Sequence, residues 1–319
     1  MFAARCIGVS LAVFVLLYVF LSLLVSRGWK LMRRTLQPTS ARSAADLLFI
    51  LRVLPLGLSL FVTVAFTLPS FLLLEPRSTG EAIGTAPLAL GLCCLVLLGA
   101  GVVRAALAQW RASRALVAWL SGSALMESQI KESGTAVPIF RIGNDAPSLT
   151  VAGVCAPKVL VSETAIAALT SRELRTALRH EIAHAIRYDN LRKLLFRLSA
   201  FPAMAELEHA WSEETEMAAD DAAVSTFPDA LDLAAALIKV SRLGSVESCG
   251  ELTMALLHSS TALSARVHRL VAWDQVQKPQ SHARWFYILP AAAAILIAAV
   301  TTYGSVLTQM HAVTEWLVR

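Results

Sequence analysis

The chain has 319 residues, 56% of them hydrophobic and only 16% charged, with a mean hydropathy of +0.61. Soluble domains are nearer a quarter charged, and disorder needs low hydrophobicity with high net charge, so both a wholly soluble and a disordered protein are excluded. Residues 104–285 hold 19 Lys/Arg and 19 Asp/Glu; the whole net charge of +5 lies outside them, beside apolar runs, which leaves no basic face for nucleic acid.

Four apolar stretches approach or reach the length that crosses a bilayer. Cys6–Ser26 comes first, flanked by Arg5 and by Arg27, Lys30, Arg33 and Arg34, without the small-residue cleavage site of a signal peptide. Val53–Leu74 is the second, with Pro55 and Pro69 near its ends, and Ala86–Val103 the third. Phe286–Tyr303 is the fourth, opened by Trp285 and Tyr287 as interface anchors. The connection between the first two spans carries six basic residues against Asp46, and the next carries only Glu75, Arg77 and Glu81. By the positive-inside rule the first connection is cytoplasmic, the N-terminus and the tail after Tyr303 are external, and residues 104–285 are cytoplasmic. A multi-pass protein of a bacterial-type cytoplasmic (inner) membrane is expected. The cysteines, Cys6, Cys93, Cys94, Cys155 and Cys249, show neither a disulfide framework nor a CxxC spacing, which fits a reducing compartment for the hydrophilic part.

Within 104–285 the pattern predicts mostly helix with a small strand-rich patch. Arg104–Lys131 should continue the third span into the cytoplasm. Val137–Arg141, Thr150–Val154 and Lys158–Val161 are short β-branched runs broken by turn residues, as in a hairpin or small sheet. Thr170 with Glu173 forms a capping-box pattern that opens a helix to about Tyr188. Leu194–Leu207, apolar around Pro202, is too short to span and lies against the membrane or in the core. A further helix covers roughly Glu206–Ser225.

The capped helix contains Arg179-His180-Glu181-Ile182-Ala183-His184. Histidines four apart share a helical face and can reach one zinc ion, and Glu181, about 100° round the helix from His180, can touch water in the open coordination position. Metal-assisted hydrolysis needs that pairing of a Lewis acid with a general base. Two histidines at this spacing also occur on ordinary surface helices. A catalytic zinc needs a third ligand, and Glu216 can complete a His2Glu set, with Asp220, four residues on, accepting a hydrogen bond from a ligand histidine. Taken alone, Glu213, Glu214, Glu216, Asp220 and Asp221 would read as a solvated acidic face. Five charged residues on the capped helix, Arg172, Glu173, Arg175, Arg179 and Arg187, keep it out of the bilayer.

These pieces resemble the BlaR/MecR-type membrane metalloproteases, a gluzincin family. The similarity runs from Ser148 through the Gly153–Pro157 turn and Lys158–Ser162, then Leu169–Leu174 and His180–His184. It continues through Arg187-Tyr188-Asp189-Asn190, the stretch with Pro202, Glu216–Asp220 and the closing Arg266-Val267-His268-Arg269-Leu270. The resemblance implies His180, His184 and Glu216 as ligands of one Zn2+ per chain, Glu181 as general base and Asp220 behind the ligands. Asp189 matches a family acidic position, and a helix-end role or a pairing with Arg187 is equally open. His258 precedes the closing arginine motif, where related proteases place a transition-state hydrogen-bond donor, although a plain helix residue is also open. His209, His268, His282 and His311 read as ordinary surface or interface residues. The sensor members carry an external ligand-binding domain after the fourth span, whereas 16 residues follow Tyr303 here, so no antibiotic-sensing role is carried over.

The expected fold is thus a mostly α integral membrane protein with four transmembrane helices and a cytoplasmic α+β gluzincin domain carrying a small β-sheet. Residues 1–103 form three spans with a basic loop, 104–285 the protease domain, and 286–319 the fourth span and external tail. The expected activity is zinc endopeptidase action on a cytoplasmic protein, by the resemblance a transcriptional repressor in a signalling pathway, through a zinc-bound water activated by Glu181. Autocleavage or a separate sensor subunit would take part in activation. The rivals are a quality-control or processing protease of the HtpX/CAAX type and a non-catalytic signalling scaffold with a zinc site. The strands near Thr150–Val161 are expected to hold an extended substrate by edge pairing.

Overall fold

The computed structural model of the chain describes residues 2–32, 40–75, 84–126, 136–143, 147–199, 201–243, 254–255, 260–273 and 303–315. Three of its helices are long and apolar enough to cross a membrane. The first is α1, Phe2–Met32. The second is a rod of α2, Ala41–Val62, a π-helical turn at Thr63–Thr67, and α3, Leu68–Leu74. The third is α4, Thr85–Leu120. Most of the expected fourth span lies outside the described residues.

Each rod outruns its apolar segment, and the surplus turns meet the rest of the chain. At about 1.5 Å per residue, α1 is roughly 45 Å long, against a hydrocarbon core of about 30 Å. Near its C-terminal end Ser26 Oγ donates to the Ala203 carbonyl (2.8 Å) and Lys30 pairs with Glu206 (3.1 Å). The second rod starts a dozen residues before the expected span because Ser40 caps it, accepting from the Ser43 amide. The third continues past Val103 as expected but stops at Leu120, where Gly122 takes φ +88° and turns the chain into the sheet.

Pro69 explains the π turn. A proline has no N–H and its ring crowds the carbonyl four residues earlier, that of Ala65. Tyr303 Oη donates to the Ala65 carbonyl at 2.8 Å. Tyr303 opens α11, residues 303–315, which runs beside α3 until His311 reaches Glu75. The residues expected as an external tail are therefore a helix packed along the second rod; hydropathy ends the fourth run at Tyr303 because Gly304, Ser305, Thr308 and Gln309 dilute it, while their neighbours still pack.

Among the described residues the sheet has five strands in the order β1-β2-β4-β3-β5. They are β1, Ala124–Leu125; β2, Ile139–Ile142; β3, Leu149–Ala152; β4, Lys158–Ser162; and β5, Met254–Ala255. β3 and β4 form the expected antiparallel hairpin, turned at Gly153 (φ +95°), where a Cβ would strike the Ala156 carbonyl. β2 runs parallel to β4. Edge pairing by Thr150–Val161 is overturned: β4 is interior, and β3 is bonded on its outer side to β5, Thr150 opposite Ala255. An incoming strand could pair with β3 only by displacing β5.

Helices follow as α5, Glu163–Ala168; α6, Ser171–Ile186; α7, Asp189–Leu198; α8, Ala205–Ala223; α9, Phe227–Arg242; and α10, Ser260–Val271. α6 lies against β3 and β4 on one side and α8 and α9 on the other, around Val159, Val161, Leu178, Ile182, Leu233 and Leu237. The apolar stretch around Pro202 is not one element. α7 ends at Leu198, a 3-10 turn covers Pro202–Met204, and α8 begins. Its residues pack on the rods: Phe201 meets Tyr18 edge-on, and Gly101 of α4 admits the Leu198 carbonyl where any Cβ would overlap it.

Arg52 ties this junction together. It is 2% exposed on α2 and donates to Ser199 Oγ (2.5 Å), the Ser199 carbonyl (2.7 Å) and Glu208 Oε1 (2.7 and 2.9 Å). One turn and a half earlier, Asp46 pairs with Arg192 (2.8 Å) and Arg187 (3.5 Å). Arg52→Ala would strand these acceptors and is expected to cost about 3 kcal/mol. Arg52→Lys should recover only part, because an ammonium cannot reproduce the guanidinium fork. Thermal unfolding in detergent, followed by fluorescence of the buried Trp211 beside Phe196, measures both; an unchanged midpoint in Arg52→Ala contradicts the junction.

Candidate metal centre

The site is built on α6, whose start is fixed by a complete capping box: Thr170 Oγ1 accepts from the Glu173 amide and Glu173 accepts from the Thr170 amide. Lys239 also donates to Glu173 (2.7 Å), which, with the capping bonds, outweighs burial and holds that carboxyl below its ordinary range. Three turns on, His180 and His184 present their rings to Glu216 of α8. The three buried side chains offer ligand atoms that all lie within 4.8 Å of one another. His180 Nε2 and His184 Nε2 are 3.2 Å apart, and they stand 3.6 and 3.7 Å from the Glu216 oxygens.

These separations suit a shared cation. Tetrahedral zinc with ligand bonds of about 2.0–2.1 Å sets its donors about 3.4 Å apart. The opposite ring nitrogens face carboxylates: His180 Nδ1 lies 2.9 Å from Asp220 Oδ1, and His184 Nδ1 lies 2.8 Å from Asp189 Oδ2. That arrangement turns the Nε2 lone pairs of neutral imidazoles toward each other and toward a carboxylate, which is unfavourable unless a positive charge sits between them. The donor set fits zinc.

Asp189 is placed by a tight break. Tyr188 takes φ +54°, a left-handed conformation rare for a side chain of its size, so that α7 turns sharply away from α6 and its first residue folds back onto His184. Asp189 faces both His184 and Arg187, since its Oδ1 also lies 3.5 Å from Arg187 Nε. Asn190 then donates to the Val151 and Gly153 carbonyls (3.1 and 3.2 Å), fixing β3 beside the site.

Glu181 is fully buried, and neither of its oxygens has a hydrogen-bond partner among the described residues. Burial pushes its carboxyl up to about 7, helped by Glu216 and opposed by His180, His184 and Arg266. Arg266 of α10 has a structural part that its motif alone did not disclose. It is 6% exposed and donates to Asp220 through Nε (2.8 Å) and Nη2 (2.6 Å) and to Glu216 through Nη1 (2.7 Å). Burial would raise the Glu216 and Asp220 carboxyls, but Arg266 and the histidines outweigh it and hold both below their ordinary range. Lys193, four residues after Asp189 on α7, was not singled out by sequence; burial lowers its ammonium to about 8 against the pull of Glu216, Asp189 and Glu181. His258 and His282 lie outside the described residues; His209 and His268 are exposed, whereas His311 is not.

A pH test follows for metal-stripped protein. Burial opposes the charge on His180, but Asp220 and Glu216 prevail and raise it from 6.5 to about 9. A raised folded-state value stabilises fully below 6.5 and the gain is lost as pH climbs through 9; the raised Glu181 value acts in the same sense from 4.5 to 7. Stripped protein should therefore unfold at lower temperature at pH 9 than at pH 6.5. Zinc must displace the His180 proton, so zinc affinity should rise over the same interval. Thermal midpoints and zinc titrations at the two pH values check both signs, and a stripped midpoint that rises with pH refutes the assignment.

No family model matches the chain, and no curated protein matches it.

Proposed function

We propose that the chain is a membrane zinc endopeptidase, with His180, His184 and Glu216 holding the ion and Glu181 as general base. The observation that carries this reading is the buried Glu181 carboxyl, without a hydrogen-bond partner among the described residues, beside three converging ligand atoms; a purely structural zinc has no use for it. When bound, zinc would acidify water and polarise the peptide carbonyl. Glu181 takes a proton from the attacking water and delivers it to the leaving amine nitrogen. Asp220 and Asp189 hold the imidazoles in orientation, and Arg266 holds Glu216 and Asp220. His180 and Glu181 are both at 0% exposure, so a peptide reaches Glu181 only through a change of conformation. The resemblance to the BlaR/MecR-type proteases makes a cytoplasmic protein, a repressor among them, the proposed substrate.

Purified full-length protein in detergent tests the reading. It should hold zinc that His184→Ala loses, and it should cleave casein or itself. Zinc held without any cleavage favours the scaffold, and no His184-dependent zinc removes the metal assignment. Membrane proteins rather than soluble ones trapped as substrates would move it to the quality-control class.

A further inference from the structure

We propose a second divalent-metal site, of zinc-type chemistry, formed by Glu75, His311 and Glu315 at the end of the helical rods remote from the sheet. It does not depend on the peptidase reading. The position follows from helix lengths. Ser26 and Arg52 touch the junction with α7 and α8. Arg5 lies 21 residues before Ser26 and Glu75 23 residues after Arg52, which at helical rise is about 30–35 Å, a bilayer core away. There Arg5 of α1 pairs with Glu75 Oε1 at the end of α3 (3.1 Å).

The ligand geometry resembles that of the first triad. His311 and Glu315 are four apart on α11 and share a face. His311 Nε2 lies 3.8 Å from Glu75 Oε2 and 3.6 Å from Glu315 Oε1, and the three ligand atoms all fall within 4.8 Å. Arg5 takes one oxygen of Glu75, Oε1, and the other, Oε2, is turned to His311. Glu75 and His311 are 8% and 16% exposed in their side chains, and His311 Nδ1 is buried with no partner among the described residues. One imidazole and two carboxylates form a borderline-hard donor set suited to zinc. Among the described residues Arg5 is the cation paired with this cluster of two carboxylates, so a further cation between the ligand atoms would be stabilised. A metal would be that cation and would join α1, α3 and α11 at that end; the rival is a proton on His311.

Metal counting separates the two. Untagged full-length protein in detergent is stripped with chelator, reloaded with zinc chloride alone, desalted and analysed for zinc per chain. Two equivalents are expected. Glu315→Gln, a change at a half-exposed side chain that keeps the helix, and His311→Ala should each leave one, and His184→Ala should leave the other. Cobalt loaded in place of zinc should give tetrahedral visible bands in His184→Ala protein that vanish when Glu315→Gln is added. A wild-type protein whose zinc is lost entirely in His184→Ala, or whose zinc content is unchanged by Glu315→Gln and His311→Ala, overturns the site and leaves the proton as its occupant. Failure of the first metal centre would instead remove only the His184-dependent equivalent, and failure of the peptidase reading alone would leave both equivalents bound without cleavage.

Discussion

Glu181→Gln is expected to lower peptide cleavage by about 10²–10⁴-fold while leaving zinc content and fold in place. The amide matches the carboxylate in shape but takes no proton from water. Stability should move the other way. Burial lifts the Glu181 carboxyl to about 7, so at pH 8 the folded metal-free protein carries a buried charge that the unfolded chain solvates without cost. Removing that charge should raise the thermal midpoint of stripped protein at pH 8 by the equivalent of on the order of 2 kcal/mol, with little change at pH 4.5, where the acid is neutral when folded. Loss of activity with gained stability marks a residue placed for chemistry at the expense of the fold. Cleavage retained at wild-type rate in Glu181→Gln would exclude Glu181 as the base.

What sequence could show here was set by how local each signal is. The capping box Thr170/Glu173 and the pair His180/His184 depend only on helical spacing, and both were legible before any tertiary contact. Glu216 with Asp220 was legible for the same reason, once a third ligand was required. The three long rods were legible from hydropathy, but their ends were not. Residues 41–52 carry Arg42, Asp46 and Arg52, which a hydropathy window assigns to a loop. In the structure Arg52 meets Glu208, and Asp46 meets Arg187 and Arg192, from segments 140 or more residues away. The same holds for the π turn: Pro69 was visible, but the donor that satisfies Ala65 comes from Tyr303. Two-residue strands such as β5 have no periodicity to detect, and β5 decides which sheet edge is open. His311 read as an unremarkable tail residue because its partner Glu75 lies 236 positions earlier.

Arg266→Ala is expected to weaken both the fold and the metal centre. The guanidinium is buried between Glu216 and Asp220 with three donated bonds of 2.6–2.8 Å, and it keeps two carboxylates ionised that burial would otherwise neutralise. Removing one partner of a buried charge cluster typically costs about 3–5 kcal/mol. Part of that loss should reappear as protonation of Asp220 or Glu216, which frees His180 Nδ1 and withdraws the third zinc donor. The expected result is a lower thermal midpoint, a zinc affinity reduced by 10–100-fold, and cleavage lost in proportion to zinc. Arg266→Lys keeps the charge but not the fork, and should retain the fold while losing much of the affinity. The double variant Arg266→Met with Asp220→Asn separates the two functions of the arginine. If Arg266 chiefly neutralises Asp220, the double variant regains both stability and zinc affinity relative to Arg266→Met alone. If it chiefly aims Glu216 at the histidines, stability returns and zinc affinity does not. Zinc affinity equal to wild type in Arg266→Ala would show that Glu216 is held in place without it.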